Sequence, residues 1–370
     1  MRPGTQAHPP PPVLPSRPMA NPSNPAPSAA SGRTVAVTGA TGFVGRHLVR
    51  ELLARGHTVR ALVRDAQKAK SIARNAAVEV VVGDACDSQA LDKLLKTTRG
   101  TPVDACIHLI GIIREVRGDT TDLPQTFQRM HVLATQKVVD ACRSAGVKRF
   151  LHMSALGVAS DGKAEYQRTK WEAERYVRRA FGDGTDLDWT IFRPSLIHGA
   201  DGEFVQMFAK IAAGEAAPFL FMPYFAKTRR DERVPAGATY FEPPTVQPVA
   251  VEDVAIAFAE AFARPEESIG EIYNLAGSEV MTWPEMLEFF RDHLPKAKKN
   301  MGSWYIPGEH AAIMAQAAKA VGLGRLLPFD HGQAVMGAMD NVADTGKAQV
   351  HRGLKPRGFR EMFYKYAASV

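Results

Sequence analysis

The sequence contains few cysteines: three among 370 residues, at positions 86, 106 and 142. Each stands alone within an apolar or helical pattern, so the sequence offers neither a disulfide framework nor a cysteine-rich metal site. No metal is expected. We predict that the three thiols act as small buried hydrophobic groups in a protein of a reducing compartment, the cytoplasm.

Long apolar runs are also missing. No stretch of 18 or more apolar residues occurs, so we expect no transmembrane segment. Residues 1–32 are rich in Pro, Ala and Ser; they lack the apolar core of a signal peptide, and their prolines would break an amphipathic transit helix. This composition buries too little apolar surface to offset chain entropy, which predicts a disordered tail.

The formal charge of +7 is spread along the chain. The basic residues form no stripe interleaved with aromatic residues, which argues against nucleic-acid binding. A positive balance instead suits a nucleotide phosphate or an anionic membrane surface. Lysines 296, 298 and 299 suggest that the C-terminal region contacts a membrane or a partner subunit, with a solvated charged surface as the alternative.

A glycine-rich segment near the start of the regular pattern carries the main functional signal. Val35–Val37 predicts a buried strand, residues 46–53 predict an amphipathic helix, and three glycines lie between them at G-x-x-G-x-x-G spacing. Gly39 would allow a tight turn, Gly42 would let a pyrophosphate approach the backbone, and Gly45 would let the helix pack against the strand. Since a helix N-terminus attracts anions, this pattern predicts a dinucleotide site.

The alternation that follows predicts the fold class. Near-continuous apolar strands alternate with helical patterns, as in a Rossmann-type, doubly wound parallel α/β sheet. The predicted strands are 58–63, 78–82, 104–110, 149–153, 187–192 and 271–275; the predicted helices are 126–144, 204–213, 251–263 and 284–293. Residues 218–248, with six prolines, are predicted to be an irregular insertion.

The domain organisation follows from this alternation. We predict a nucleotide-binding domain at 33–200 and a smaller C-terminal α+β region at 201–370 for a substrate or partner. Residues 246–263 are expected to pack back on the sheet.

Several residues lie where strands should end, over the ligand crevice. Arg64 follows the second strand, where an arginine suits the 2′-phosphate of NADP and an acidic residue suits NAD; a solvated surface arginine is the alternative. Asp84, followed by Ala85, ends the third strand and could accept a hydrogen bond from adenine or cap the next helix. Leu109 and Gly111 end the fourth, where a small residue lets backbone lie against the cofactor ribose.

Tyr166 and Lys170 form the pair most specific for a reaction. Four residues apart on a predicted helix, they share a face, and a nearby ammonium would lower the pKa of the phenol. Ser154 ends the fifth strand and could donate a hydrogen bond to a carbonyl oxygen; a hydroxyl satisfied by backbone is the alternative. His131 is expected to be a structural hydrogen bonder, and His198 is equally well interpreted as a loop residue.

These motifs resemble those of the extended and atypical short-chain dehydrogenases/reductases over residues 34–293. The matching segments are Thr38-Gly39-Ala40-Thr41-Gly42-Phe43-Val44-Gly45, Tyr166-x-x-x-Lys170 and Arg193-Pro194-Ser195. Residues 147–157 and 247–255 are more narrowly similar to the NADPH-binding accessory subunit of respiratory complex I and its bacterial relatives.

The resemblance implies the contacts of a bound nicotinamide dinucleotide. It places the phosphates at Gly39, Thr41, Gly42, Phe43 and Val44, the 2′-phosphate at Arg64 and adenine at Asp84; it places the ribose and nicotinamide at Gly111, Tyr166, Lys170 and Pro194. In active extended members a catalytic Ser or Thr follows the strand-end serine. Here that position is Ala155, so the resemblance implies binding more strongly than turnover.

We therefore expect NADP(H), with NAD(H) as the alternative, bound as a structural group in an accessory or assembly factor of respiratory or quinone metabolism. Such a protein would lie in the cytoplasm or peripherally at the inner face of the membrane, beside a respiratory partner. The rival hypothesis is an active NAD(P)-dependent reductase, epimerase or dehydratase that uses Tyr166, Lys170 and Ser154.

Overall fold

The computed structural model describes residues 32–116, 123–180, 187–216, 220–231, 237–323, 327 and 329–370. Residues 1–31, which hold nearly all of the predicted disordered tail, lie outside this part of the chain. The strands are β1 (Thr34–Thr38), β2 (Thr58–Val63), β3 (Val78–Val82), β4 (Ala105–His108), β5 (Arg149–Met153), β6 (Asp188–Pro194), β7 (Ile197–His198), β8 (Met222–Asp231), β9 (Ala238–Glu242), β10 (Thr245–Val246), β11 (Val249–Ala250), β12 (Glu271–Leu275), β13 (Met281–Thr282) and β14 (Ser303–Pro307). The helices are α1 (Phe43–Ala54), α2 (Ala66–Ala69), α3 (Ser88–Leu95), α4 (Ala134–Ala145), α5 (Glu165–Arg179), α6 (Glu203–Ala212), α7 (Val251–Ala263), α8 (Trp283–His293), α9 (Gly308–Ala320), α10 (His331–Gly337), α11 (Gly346–Arg352) and α12 (Phe359–Tyr366).

A seven-stranded sheet organises the fold, in the order β12-β6-β5-β4-β1-β2-β3. Every neighbouring pair is parallel. Its apolar side chains are covered on one face by α1 and α7 and on the other by α3 and α4. The winding reverses between β1 and β4, so a ligand crevice is expected at the carboxyl ends of these strands. The predicted Rossmann-type α/β fold is confirmed.

Local propensity explains most element boundaries. The observed β2, β3, β5, β12 and α7 have the predicted bounds, whereas β4 is shorter than the predicted strand 104–110. The predicted helix 126–144 contains a π-helical turn, Gln128–Leu133, before α4. It ends at Gly146, which adopts φ +78° and so closes the helix in a conformation that glycine tolerates well.

Two elements beyond residue 200 join the nucleotide-binding half. Strand β12 pairs with β6, and α7 packs against α1. The last carbonyls of α7 accept hydrogen bonds from three arginines: Arg352 reaches Glu260, Arg149 reaches Ala261, and Arg33 reaches Phe262 and Ala263. Cations at this end complement both the unpaired carbonyls and the helix dipole, which fixes α7 beside the sheet. The boundary at residue 200 stays a prediction.

The prediction of an irregular insertion at 218–248 is wrong over much of its length. Strands β8 and β9 pair antiparallel there, and β14 pairs parallel with β8. Among the prolines that the structure describes, Pro223 lies at the second residue of β8, whereas Pro243 and Pro244 follow β9. Prolines near strand ends leave most of a ladder intact, and the β-branched and aromatic residues between them favour strands.

The C-terminal part forms its own layers. Helices α6, α8 and α12 enclose an apolar cluster that includes Phe290 and Phe363. Helices α9 and α10 pack together against β8, with Ala311, Ala312 and Ala334 buried at that contact. Within the described residues no helix is both long and apolar enough to cross a bilayer.

Candidate functional site

The phosphate loop, residues 39–45, joins β1 to α1 as a tight turn. Gly39 adopts φ +75°, and the Gly42 amide donates to the Gly39 carbonyl at 3.0 Å. A Cβ at Gly45 would overlap the Gly39 carbonyl oxygen and the Ala40 backbone, because α1 starts directly against the turn. Gly42 is the N-cap of α1 and supplies no side-chain hydrogen bond. The first amides of α1 therefore face the crevice, an arrangement that fits a diphosphate.

Sequence reasoning missed a clasp formed by Arg46 and Asp201. The Arg46 guanidinium donates to the Thr41 carbonyl at 2.8 Å and to the Asp201 carboxylate at 2.6 Å. Asp201 belongs to the turn after β7, and His47 Nε2 lies 3.2 Å from its other oxygen. The Phe43 ring packs where a Cβ at Gly199 or Gly202 would lie. These contacts hold the turn at 199–202 against the phosphate loop. In the sequence, the only sign of this pair was the basic residue that directly follows the third glycine.

Arg64 lies at the carboxyl end of β2, as predicted, and is exposed. Within the described parts of the chain its guanidinium has no hydrogen bond or ion pair, whereas the neighbouring Asp65 is engaged in capping α2 through the Gln67 amide at 2.8 Å. Lys68 is exposed on the same short helix. Two cations beside the β2 end leave this corner suited to a phosphate.

Asp84 is held in place at the end of β3. Its Oδ1 accepts from the Cys86 amide at 2.8 Å and from Arg129 at 2.9 Å. The alternative that Asp84 caps the next helix is wrong, because Asp87 is the N-cap of α3. Ala85 is buried next to it. Arg129, which sequence reasoning did not single out, reaches this edge from the π-helical turn.

Lys170 lies buried at the centre of the crevice floor. Its Nζ donates to the Met153 carbonyl at 3.0 Å and lies 3.4 Å from the Ile110 carbonyl, so it bridges the ends of β5 and β4. Burial lowers the pKa of Lys170 to about 8, and the carboxylate of Glu174 partly opposes this shift. A Cβ at Gly111 would come within 2.8 Å of Nζ, so only glycine leaves room for the ammonium there.

Tyr166 lies one turn before Lys170 on α5, but its phenol is uncharged. Burial raises the pKa of Tyr166 to about 12. Its ring lies edge-on to His131 and Phe127, at centroid distances of 5.2 and 6.0 Å. The expectation that Lys170 lowers the pKa of this phenol is wrong in this structure, because burial of the phenol shifts its pKa upward. The Lys170 ammonium is directed at two backbone carbonyls. The phenol is therefore neutral at physiological pH.

Ser154 is buried at the end of β5, and its hydroxyl has no hydrogen-bond partner among the described residues. Its backbone amide donates to the Phe192 carbonyl at 2.8 Å, so the backbone fixes the position while the Oγ stays available. The alternative of a hydroxyl satisfied by backbone is wrong. An unpaired buried hydroxyl is costly, and a ligand in the crevice would supply the missing partner.

The remaining strand ends close the crevice. Leu109 is buried where a Cβ at Gly39 would touch its carbonyl carbon at 3.2 Å, so β4 and the phosphate loop are in contact. The Pro194 carbonyl, at the end of β6, accepts from the Leu156 amide at 2.9 Å. This bond holds the segment after Ser154, including Ala155, beside β6.

Histidines beneath the crevice serve structure. His131 bonds Thr169 through Nδ1 at 2.9 Å and Ile112 through Nε2, which confirms that it is a structural hydrogen bonder. His198 is buried, and its Nδ1 lies 2.9 Å from the Tyr366 hydroxyl oxygen. Burial lowers the pKa of His198 to about 3. His108 and His152 stack at 5.5 Å inside the sheet. Sequence reasoning missed this stacked pair, since strand patterns give no sign of a buried imidazole.

Comparison with known proteins agrees with this geometry. A family model described as NAD(P)H-binding matches residues 39–210. The chain is 35% identical over 189 residues to ceramide reductase of Caulobacter vibrioides, which covers 50% of this chain and 53% of that protein. It is 28% identical over 254 residues to NADH dehydrogenase (ubiquinone) 1 alpha subcomplex subunit 9, mitochondrial, of Rattus norvegicus, which covers 68% of this chain and 58% of that protein. Both matches span less than two thirds of the relative's length.

Solved structures match the fold over nearly the whole chain. The UDP-glucose 4-epimerase of Thermus thermophilus in complex with NAD superposes with a TM-score of 0.62 and 23% identity, covering 90% of this chain and 97% of that one. An epimerase from Methanothermobacter thermautotrophicus gives a TM-score of 0.64 and 19% identity, covering 91% and 94%. At such identities the likeness shows the fold alone.

Proposed function

We propose that this chain, which is similar over residues 39–210 to an NAD(P)H-binding family, is a short-chain dehydrogenase/reductase-like protein that holds NADP(H) as a structural group. In this proposal it acts as an accessory or assembly factor of respiratory or quinone metabolism. The observation that carries the proposal is the neutral Tyr166 beside an ammonium that is engaged elsewhere. A phenol with a pKa of about 12 is a poor proton donor or acceptor at neutral pH, whereas the phosphate loop and the Ser154 hydroxyl remain well suited to binding.

The proposed contacts distribute along the crevice. Residues 39–45 hold the diphosphate with the amides of α1, Arg64 holds the 2′-phosphate, and Asp84 with Ala85 meets adenine. Leu109, Gly111 and Pro194 line the ribose and nicotinamide, with Lys170 beneath them. When bound, NADPH would carry a transferable hydride at the nicotinamide; in the structural role proposed here that hydride is not transferred, and the chain's own contribution is to position the ring and exclude water.

The relatives suggest where such a protein works. Some are named as subunits of NADH dehydrogenase (ubiquinone), so we propose a respiratory protein partner and a place on the cytoplasmic side of a membrane, at its surface. The net charge of +7 favours approach to an anionic surface.

Native mass spectrometry of the purified full-length chain tests the proposal. We expect one co-purified NADP(H) per chain, a fall in melting temperature when the nucleotide is removed, and recovery when NADPH is added. No nucleotide after purification and no binding of millimolar NADPH or NADH in calorimetry would contradict it.

An active reductase is the second candidate, favoured by the unpaired Ser154 hydroxyl and by relatives named as reductases, such as ceramide reductase. In that case Ser154 and Tyr166 would both donate to a carbonyl oxygen, and Tyr166 would deliver the proton. NADPH consumption with a carbonyl substrate that disappears in Tyr166→Phe, while NADPH affinity is retained, would favour this function over the structural one.

Nucleotide selectivity gives the first specific prediction. We expect Arg64→Gln to weaken NADPH binding about tenfold and to leave NADH binding unchanged, because only NADPH carries the phosphate that the guanidinium would contact. Titration of both nucleotides by fluorescence measures this, with Arg50→Gln, an exposed arginine on α1, as the control. An equal loss for both nucleotides would mean that Arg64 supports the fold instead of reading the phosphate.

The clasp gives a second prediction. We expect Asp201→Asn to speed NADPH release about three- to fivefold, the range of a partly exposed ion pair. High salt should speed release more from the unaltered chain than from the variant, because only the unaltered chain has the ion pair to screen. Stopped-flow displacement measures both rates. Asp201→Glu should restore slow release, and Glu361→Gln, which breaks an exposed pair on α12, should change nothing; identical rates in all four proteins would refute the clasp.

A further inference from the structure

Helix α9 is apolar on two opposite faces. Gly308, Ala311, Ala312 and Ala315 are buried against β8 and α10, which accounts for one face. Ile313, Met314 and Ala317 lie on the other face, which continues into Val321 at the end of the helix. This spacing of three and four residues keeps them on one side. Their exposure is high: 65% for Ile313, 52% for Met314 and 70% for Val321.

Aromatic rings extend this exposed face onto the three-stranded sheet. His310, one turn before Ile313, contacts Phe241 at 6.5 Å, and Phe241 contacts Tyr305 at 5.4 Å. Tyr305 lies beside Trp304, which is 64% exposed. We call the outward-facing set the α9 face; its members are Trp304, Tyr305, Ile313, Met314 and Val321.

Exposed apolar and aromatic side chains grouped on neighbouring elements in this way mark an interaction surface. Tryptophan and tyrosine combine an apolar ring with a polar N–H or O–H, which suits them to the boundary between water and hydrocarbon. Their presence beside Ile313 and Met314 distinguishes the α9 face from scattered exposed apolar residues such as Val350.

The segment that runs from the end of α8 through α9 carries charge of one dominant sign. Residues 296–323 contain four lysines, at 296, 298, 299 and 319, against a single acidic residue, Glu309. Lys319 lies on α9 itself and is exposed, as is Lys299, whose Nζ holds the Arg291 and Asp292 carbonyls near the end of α8. An apolar, aromatic surface bordered by cations matches an anionic lipid interface, where hydrocarbon lies just below negative headgroups.

We propose that the α9 face docks this chain on an anionic lipid bilayer, with Trp304 and Ile313 entering the headgroup boundary and the lysines meeting lipid phosphates. The inference rests on the peripheral membrane location proposed above and identifies the surface through which the chain would bind the membrane. It does not depend on the nucleotide site, so either proposal can fail alone.

Co-sedimentation of the full chain with vesicles tests the inference. We expect binding to vesicles of phosphatidylglycerol and phosphatidylcholine in equal parts, weak binding to pure phosphatidylcholine, and loss of binding at high salt. The double variant Ile313→Asn/Met314→Asn should lower the fraction bound at least fivefold. The control Val350→Asn, which replaces a still more exposed apolar residue on α11, should bind like the unaltered chain. NADPH titration of each variant reports whether the nucleotide site is intact.

Insertion of Trp304 gives a second, independent readout. Lipids with brominated acyl chains should quench part of the tryptophan emission, and Trp304→Phe should remove that quenching. Absence of binding to the anionic vesicles at low salt would overturn the inference, and so would binding that the double variant retains. If sedimentation equilibrium shows a dimer of the unaltered chain and a monomer of the double variant, the α9 face binds a second copy of the chain, and the proposal of bilayer docking is overturned.

Discussion

Gly45→Ala is expected to weaken NADPH binding by about 10- to 100-fold. The added Cβ would overlap the Gly39 carbonyl oxygen and the Ala40 backbone, none of which can move without displacing the turn that meets the diphosphate. Overpacking of this kind costs about 1–3 kcal/mol, and here the cost falls on the geometry of the binding loop. Isothermal titration calorimetry with NADPH measures the change in affinity.

The control for this variant is Gly302→Ala. Gly302 has open space around its missing side chain and an ordinary backbone conformation, so its replacement should leave affinity unchanged. Gly42→Ala should be intermediate, because a Cβ there would approach only the Gly39 carbonyl, at 3.2 Å. Circular dichroism shows whether each variant is folded. A folded Gly45→Ala protein with unchanged affinity would mean that the diphosphate does not lie on this loop.

The sheet was predictable because its signals are local. Buried parallel strands are short continuous apolar runs, and the helices between them carry their own start and stop residues, such as Thr282 before α8 and Gly146 after α4. The expected carboxyl-edge positions of Arg64, Asp84 and Ser154 follow from that alternation. The position of a strand end along the chain fixes which residues face the crevice.

The parts that sequence reasoning missed depend on contacts between distant segments. Arg46 and Asp201 are 155 residues apart, and Asp84 meets Arg129 across 45 residues, so no local pattern announces either pair. The hairpin of β8 and β9 was obscured because a count of prolines takes no account of where in a strand each one lies. The direction of the Lys170 ammonium could not be predicted either, because it depends on which acceptors lie nearest in space.

The crevice as a whole combines a strong binding site with weak acid–base chemistry. The Lys170 ammonium bridges the ends of two strands, and burial leaves Tyr166 with a raised pKa. A bound nucleotide could change this balance only by offering Lys170 better acceptors than the two carbonyls. Ribose hydroxyls are such acceptors. The structural and catalytic proposals therefore use the same residues and differ only in what those residues do after the nucleotide has bound.

Lys170→Met is expected to stabilise the nucleotide-free protein while weakening NADPH binding about tenfold. The pKa of Lys170 is about 8 in the folded chain and 10.5 in the unfolded chain, so burying the ammonium costs roughly 3 kcal/mol at neutral pH. Methionine fills a similar volume without the charge, although the Met153 carbonyl loses its donor. We therefore expect a gain of about 1–3 kcal/mol in the free energy of unfolding by urea at pH 7.

The pH dependence supplies the decisive comparison. Below pH 8 Lys170 is protonated in both states and its penalty is complete; between pH 8 and 10.5 the unfolded state holds more protons, so stability should rise with pH relative to the variant. Lys170→Met should remove that rise, and Lys210→Met, at an exposed lysine on α6, should keep it. If Lys170→Met is destabilised and the unaltered chain shows no rise relative to it, the ammonium contributes more through the two strand ends than its burial costs. A crevice that carries a destabilising charge in the absence of nucleotide is built for binding, since NADPH would then recover part of that cost.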